Sequence, residues 1–383
     1  MKLAIPRERR DHENRVAATP ETVKKLVALG LDVFLETGAG QKASYTDQAY
    51  EEAGAKIAKT AKEAYDGADI VFKVRRPLTK DEGEDELGLI KPGAMLVSVL
   101  DPYQSRESVD LYAKGNVNAF AMEFMPRITR AQSMDVLSSQ SNLAGYRAVM
   151  DAAYEFTRAF PMMMTAAGTV APAKVMVLGA GVAGLQAIAT AKRLGAVVSA
   201  TDVRPAAKEQ VESLGGKFVM VESEETEAAE TAGGYAREMS EDYKKKQAEL
   251  VAATLAKQDI AICTALIPGK KAPTLITDEM VKSMKPGSII IDLAVEQGGN
   301  CTLSKPGEVV EVNGVKIVGH HNVPSRVATD ASALYSKNLL NFLTPLVDKE
   351  SGKLAINWED EIITGTALTR DGKVVHPALT EGS

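Results

Sequence analysis

Lys174-Val-Met-Val-Leu-Gly-Ala-Gly-Val-Ala-Gly184, followed by a helical run and then Val197-Val-Ser-Ala-Thr-Asp202, decides the fold of this chain. A β-branched, apolar strand runs directly into Gly179-x-Gly181-x-x-Gly184, and an acid stands 18 residues beyond the last glycine. Gly179 permits a tight turn, Gly181 lets backbone approach a pyrophosphate, and Gly184 lets the helix pack close to the strand. The N-terminus of that helix offers unpaired N–H groups and a positive dipole end to phosphate. Asp202, ending the next strand, suits a ribose 2′-hydroxyl. The order strand, glycines, helix, strand, acid predicts a Rossmann-like dinucleotide site. In it Gly179, Ala180, Gly181, Val182 and Gly184 meet the pyrophosphate, and Asp202, Val203 and Arg204 lie at the ribose. A tight turn that merely shares the spacing is the plainer alternative.

Working outward, strand-like and helix-like runs alternate on both sides of this motif. On the N-terminal side Lys2–Ile5, Leu31–Leu35, Ile70–Val74, Ala94–Val99 and Asn118–Met122 read as strands. Thr19-Pro20 caps and opens a helix that Gly30 stops, and a second helix covers Asp47–Ala53. Asp135–Phe160 reads as one long helix. Val175–Leu178, Val197–Thr201, Lys217–Val221, Ile260–Thr264, Ser288–Asp292 and Val315–Val318 form a second strand series, and Asp330–Leu340 a late helix. The fold class is therefore α/β, with two Rossmann-like, doubly wound parallel-sheet domains separated by a cleft and joined by a long helix. Residues 1–136 with 328–383 make the first, discontinuous domain. Residues 137–327 make the nucleotide-binding one. The acidic stretch of about 222–242, which holds Gly233-Gly234, is expected to be a mobile excursion, since little in it can bury itself.

Composition narrows the class. The 383 residues are 45% hydrophobic and 25% charged with a net charge of −6, ordinary for a soluble α/β protein and unlike a nucleic-acid binder. Two cysteines and four histidines show neither disulfide density nor metal-ligand spacing, so no metal is expected. Met1-Lys-Leu-Ala-Ile-Pro6 breaks at once into Arg7-Glu-Arg-Arg10, which argues against a signal peptide. No apolar run approaches the roughly 18 residues that would cross a bilayer. The expected location is the cytoplasm, without direct membrane insertion.

In doubly wound sheets, ligands bind beyond the carboxyl ends of the strands. Glu123-Phe-Met-Pro-Arg127-Ile-Thr-Arg130-Ala-Gln132-Ser-Met-Asp135-Val-Leu-Ser138 lies there, between the last strand of the first domain and the long helix. Arg127, Gln132, Asp135 and Ser138 supply donors and acceptors suited to a nicotinamide carboxamide and its ribose, with Ile128, Thr129, Ser133 and Met134 beside them. The plainer reading is that Asp135 or Ser138 caps the helix and the arginines are solvated.

Arg130-Ala-Gln-Ser-Met-Asp-Val-Leu-Ser-Ser-Gln-Ser-Asn-Leu-Ala-Gly-Tyr146, Pro161-Met-Met-Met-Thr-Ala-Ala-Gly-Thr169, the glycine fingerprint and Ala294-Val-Glu-Gln-Gly-Gly-Asn300 closely resemble proton-translocating nicotinamide nucleotide transhydrogenase. The match is to its soluble NAD(H)-binding component and covers essentially the whole chain. The resemblance implies hydride transfer between NADH and NADP⁺, the NADP(H) held on a partner component and membrane-spanning subunits coupling the step to proton movement. It also implies a homodimer, peripheral on the cytoplasmic face of the inner membrane. Tyr235 matches a tyrosine on a loop that closes over nucleotide, with Gly234 at its hinge and Gln247 just beyond. Leu266 falls where such folds wrap the adenine, or is plain core. The catalytic set this implies is Arg127, Gln132, Asp135, Ser138 and Tyr235.

The wider family includes alanine dehydrogenase, which gives the competing function. Arg15 and Lys73 resemble that enzyme's substrate-binding Arg and Lys, against a plain internal ion pair. No histidine stands near Leu96–Asp101, where the dehydrogenase keeps its acid/base group, and Glu296 replaces its Asp before Gln-Gly-Gly. Oxidising an amino acid needs a group to manage protons. Hydride passage between two nicotinamides needs only alignment and exclusion of water. A third reading is an NAD-sensing module without catalysis.

Overall fold

Parallel strands covered on both faces read as continuous apolar runs, and this chain carries two such sets. The computed structural model describes residues 1–222, 240–267, 269–348 and 350–380. The chain divides into two units, Met1–Gln140 with Pro324–Ser383, and Ser141–Val323. The boundary at Gln140 falls inside the 20-residue helix Val136–Glu155.

The first unit holds strands β1 (Lys2–Ile5), β2 (Asp32–Glu36), β3 (Lys56–Ala58), β4 (Ile70–Arg75), β5 (Met95–Val99) and β6 (Asn118–Ala121). Their order is β3-β2-β1-β4-β5-β6, and every pairing is parallel. Side chains alternate across the pleat. Leu3, Ile5, Phe72 and Phe120 enter one core with Tyr335, Leu339 and Phe342 of the helix Ala328–Leu343. Ala4, Val71, Leu96 and Ala119 enter the other with Tyr65 and Tyr112.

The first strands of the second unit form an antiparallel hairpin, β7 (Met163–Thr165) and β8 (Gly168–Val170). Then come β9 (Lys174–Leu178), β10 (Val197–Thr201), β11 (Lys217–Phe218), β12 (Ile260–Cys263), β13 (Ile289–Asp292), β14 (Val309–Val312) and β15 (Val315–Val318). The sheet order is β11-β10-β9-β12-β13-β15-β14, parallel except for the antiparallel β14–β15 edge. Both sheets are thus doubly wound, and each reverses direction once, between β1 and β4 and between β9 and β12.

Four local expectations change. The expected helix through Phe160 ends at Glu155, five residues early. β11 stops at Phe218, three residues short of expectation. β3 is an unexpected edge strand, only three residues long and carrying a lysine. β14 joins β15 through Asn313-Gly314, both with positive φ (51° and 75°), the Asn-Gly turn that matches strand twist.

Candidate functional site

At the second unit's switch point the residues following β9, β10 and β12 converge, because those strands are neighbours in the order β10-β9-β12. Gly179 turns with φ +102°, and Gly181 caps the helix Val182–Arg193. No side chain caps that helix, so its first-turn N–H groups lack a side-chain acceptor. A Cβ on Gly184 would stand 1.9 Å from the Gly179 carbonyl oxygen, whereas one on Gly181 would meet nothing within 4 Å. The third glycine is required by packing. The second leaves open space above the loop.

Asp202 is tied to the same loop. Its carboxylate accepts from the Ala180 N–H (2.7 Å) and from the Arg204 N–H and Nε, both at 2.9 Å. Burial pushes this carboxyl up, but the Arg204 and Ala180 hydrogen bonds outweigh it and hold it below the ordinary aspartate value. Arg204 also reaches the Ala180 carbonyl at 3.4 Å. Around this polar centre stand exposed apolar side chains: Val203 is 82% exposed, Leu266 47%, Ile267 43% and Val182 41%. Leu266 is therefore not core. The Thr264 hydroxyl, which donates to the Gly179 carbonyl (3.0 Å), fastens the β12 loop to the glycine turn.

Gln247, on the helix Glu241–Leu255, is held by the sheet. Its amide donates to the Thr201 hydroxyl and the Val219 carbonyl, both at 3.1 Å, and accepts from the Val221 N–H at 2.8 Å. It clamps the ends of β10 and β11 to that helix. Gly234 and Tyr235, with most of the expected 222–242 excursion, lie outside the described residues.

The first unit's switch point is built differently. Arg15 is buried and paired with Glu13 through Nη2–Oε2 (2.7 Å) and Nε–Oε1 (2.8 Å), and it donates to Gln140 at 2.8 Å. Lys73, 1% exposed, pairs with Glu86 at 2.9 Å and Glu8 at 3.4 Å. Burial pushes the Glu8 carboxyl up, and the Lys73 charge opposes it. Both cations have internal carboxylate partners. At the end of β6, the Glu123 carboxylate accepts from the Leu100 and Asp101 N–H groups (2.8 and 2.5 Å). Burial raises it to about 7 against those bonds, aided by the Asp101 charge.

The segment read as the nicotinamide end belongs to this unit. Thr129–Met134 forms a 3-10 turn that buries Ala131 and Met134 and exposes Thr129, Gln132 and Ser133. Arg127 is exposed too, and Ile128 half-buried. Arg130 is engaged by Asp360 through two bonds of 2.7 and 3.0 Å. Asp135 accepts from the Ser138 N–H at 2.9 Å and from its hydroxyl at 2.5 Å. That pair caps the helix Val136–Glu155, the plainer of its two readings.

Two family models match the chain: the alanine dehydrogenase/PNT N-terminal domain over residues 4–144 and the C-terminal domain over 148–377. The chain is 67% identical over 380 residues to an NAD(P) transhydrogenase alpha subunit of Rhodospirillum rubrum, the first piece of a divided alpha chain, covering 99% of each. A solved structure of transhydrogenase from Sinorhizobium meliloti superposes with a TM-score of 0.89 at 55% identity, covering 98% of this chain and 100% of that one. An L-alanine dehydrogenase structure superposes with a TM-score of 0.81 at 26% identity, covering 99% and 98%.

Proposed function

The chain belongs to the alanine dehydrogenase/PNT family, among its NAD(P) transhydrogenase alpha subunits, and on that premise we propose that it binds NAD(H) and passes hydride from NADH to NADP⁺ held on a separate component. Membrane-spanning subunits couple the step to proton movement. This chain docks peripherally on them, on the cytoplasmic face; no helix among the described residues is long and apolar enough to cross a membrane.

The carrying observation is the carboxyl edge of the second unit's sheet. The glycine turn and the uncapped first turn of the helix Val182–Arg193 receive the pyrophosphate. Asp202 takes the adenosine ribose, with Val203 and Arg204 beside it. Leu266 and Ile267 offer apolar surface to the adenine, and their exposure agrees with that use. Arg127 and Gln132 position the carboxamide, and Asp135 and Ser138 hold the helix start from which that segment hangs. When bound, NADH supplies the hydride; the protein's contribution is alignment and the exclusion of water.

The alternative of amino-acid oxidation is disfavoured by the Arg15–Glu13 and Lys73–Glu86 pairs. A substrate carboxylate would have to displace an acid already bonded to each cation. A homodimer is supported by the β7–β8 hairpin, where Met163 and Met164 are 43% and 79% exposed and the preceding Met162 59%.

The test is stopped-flow hydride transfer with the cognate NADP(H)-binding component, run beside an alanine deamination assay. Transfer without any membrane, and no alanine turnover, is the expected result. Gln132→Asn should slow transfer roughly a hundredfold while leaving NADH affinity nearly intact, since small misplacements at the reacting end are costly. Alanine turnover by the isolated chain would establish the dehydrogenase instead. Tight NADH binding with silence in both assays would establish a sensing module.

A further inference from the structure

Asn300 ends the motif Ala294-Val-Glu-Gln-Gly-Gly-Asn300 and is wholly buried. Its side chain is one amide facing two strands of the same loop. Oδ1 accepts from the Ala265 N–H at 3.1 Å, and Nδ2 donates at 2.8 Å to both the Ala265 and Pro273 carbonyls. Its main-chain carbonyl accepts from the N–H groups of Leu275 and Ile276, at 2.8 and 3.0 Å. One residue therefore ties down both the departure of the chain after β12 and its return before the helix Asp278–Ser283.

Asn300 is itself fixed from the sheet. Asp292, the last residue of β13 and almost fully buried, accepts from the N–H groups of Ala294 (3.0 Å), Asn300 (3.2 Å) and Cys301 (3.0 Å) and from the Ser304 hydroxyl (2.6 Å). A rigid strand end thus holds a turn, and the turn holds a loop. The residues next to the tether at Ala265 are Leu266 and Ile267. An exposed loop carrying two large apolar side chains would normally fold them inward. Here the bonds at Ala265 fix the backbone beside them, and those side chains stay exposed.

We propose that Asn300 is a positioning residue for the adenine half of the nucleotide, holding Leu266 and Ile267 against the base. This rests on the nucleotide reading above. The amide is specifically required, since an aspartate of the same shape would set its carboxylate against two carbonyl oxygens instead of donating to both.

The experiment is a calorimetric double-mutant cycle with Asn300→Asp and Leu266→Ala, using AMP and reduced nicotinamide mononucleotide as separate probes alongside NADH. Each single variant should weaken AMP and NADH roughly tenfold and leave the affinity for the mononucleotide unchanged. The double variant should be little worse than either single, because both act on the same wall. Should Asn300→Asp not fold, Asn300→Ser carries the same cycle. Equal weakening of both half-ligands, fully additive effects, or unchanged AMP binding would each overturn the proposal. Failure of the unaltered protein to bind AMP or NADH would instead remove the nucleotide reading, and this inference with it.

Discussion

The chain builds the same doubly wound sheet twice and finishes the two carboxyl edges in opposite ways. In the first unit the switch point between β1 and β4 is closed by its own charges, with Arg15 on Glu13 and Lys73 between Glu86 and Glu8. In the second, the switch point between β9 and β12 leaves a helix N-terminus without a side-chain cap and several apolar side chains in solvent. The difference lies in the residues after the first strand. Glycines in one unit deny the edge any side chain. Pro6-Arg-Glu-Arg-Arg10 and Glu13-Asn-Arg15 in the other supply charges that neutralise each other. A shared topology therefore marks where a ligand could bind, and the side chains decide whether that place stays open.

The comparison breaks most directly at Lys73. If the first edge is an internal ion-pair cluster, Lys73→Met leaves Glu8 and Glu86 buried without their shared cation. Removing one partner of a buried pair costs about 3–5 kcal/mol. The Arg9 guanidinium, 3.6 Å from Glu86, softens the loss without replacing the bond. Urea unfolding should show a loss of that order, and NADH affinity of the folded variant should be unchanged. Unaltered stability with lost nucleotide binding would make the first edge a ligand site as well.

The glycines sharpen the other side. Gly184→Ala puts a methyl 1.9 Å from a backbone oxygen, and such overpacking costs typically about 1–3 kcal/mol. Its melting temperature and NADH affinity should fall together. Gly181→Ala adds a methyl to empty space at φ −77°, so melting should hold or rise slightly. NADH affinity should nevertheless drop by roughly 1–3 kcal/mol, because the methyl stands where the pyrophosphate approaches. A Gly181→Ala protein that binds NADH normally would move the phosphates elsewhere.

How much of this was legible in sequence follows from the range of the interactions. The glycine turn, its helix and Asp202 lie within 24 residues, and a local pattern carries them. The β14–β15 hairpin had a local signal too, Asn313-Gly314 between valine-rich runs, yet Val309–Val312 was not expected as a strand. β3 offered almost no pattern, being three residues recruited by pairing with β2. Asn300 was visible only as the end of a motif. Its partners at Ala265 and Pro273 lie 35 and 27 residues away, and no periodicity announces such a tether. Gln247 was named through resemblance alone, and its bonds to Thr201, Val219 and Val221 join segments that no local pattern links. Asp135 and Ser138 were open between a cap and a binding role, and only the folded geometry shows their mutual bonds.

The smallest expected effect lies at Arg204, where the open edge carries an ion pair with Asp202. A guanidinium beside the ribose acid could accept a 2′-phosphate and blur the preference for NAD(H). Its Nε and Nη2 already donate to Asp202, at 2.9 and 3.1 Å, so that cation is neutralised where it stands. The pair is half exposed on the Arg204 side (49%), which places its worth at about 0–1 kcal/mol. Arg204→Ala should therefore change stability by less than about 1 kcal/mol and NADH affinity by less than about fivefold. Asp202 keeps its bonds from the N–H groups of Ala180 and position 204. NADPH should remain the far weaker ligand in both proteins, because a 2′-phosphate meets a like charge and gains no hydrogen bond. Calorimetric titration of both reduced nucleotides decides it. If the unaltered protein binds NADPH as tightly as NADH and Arg204→Ala abolishes only the former, the guanidinium is a phosphate ligand and Asp202 does not set the preference.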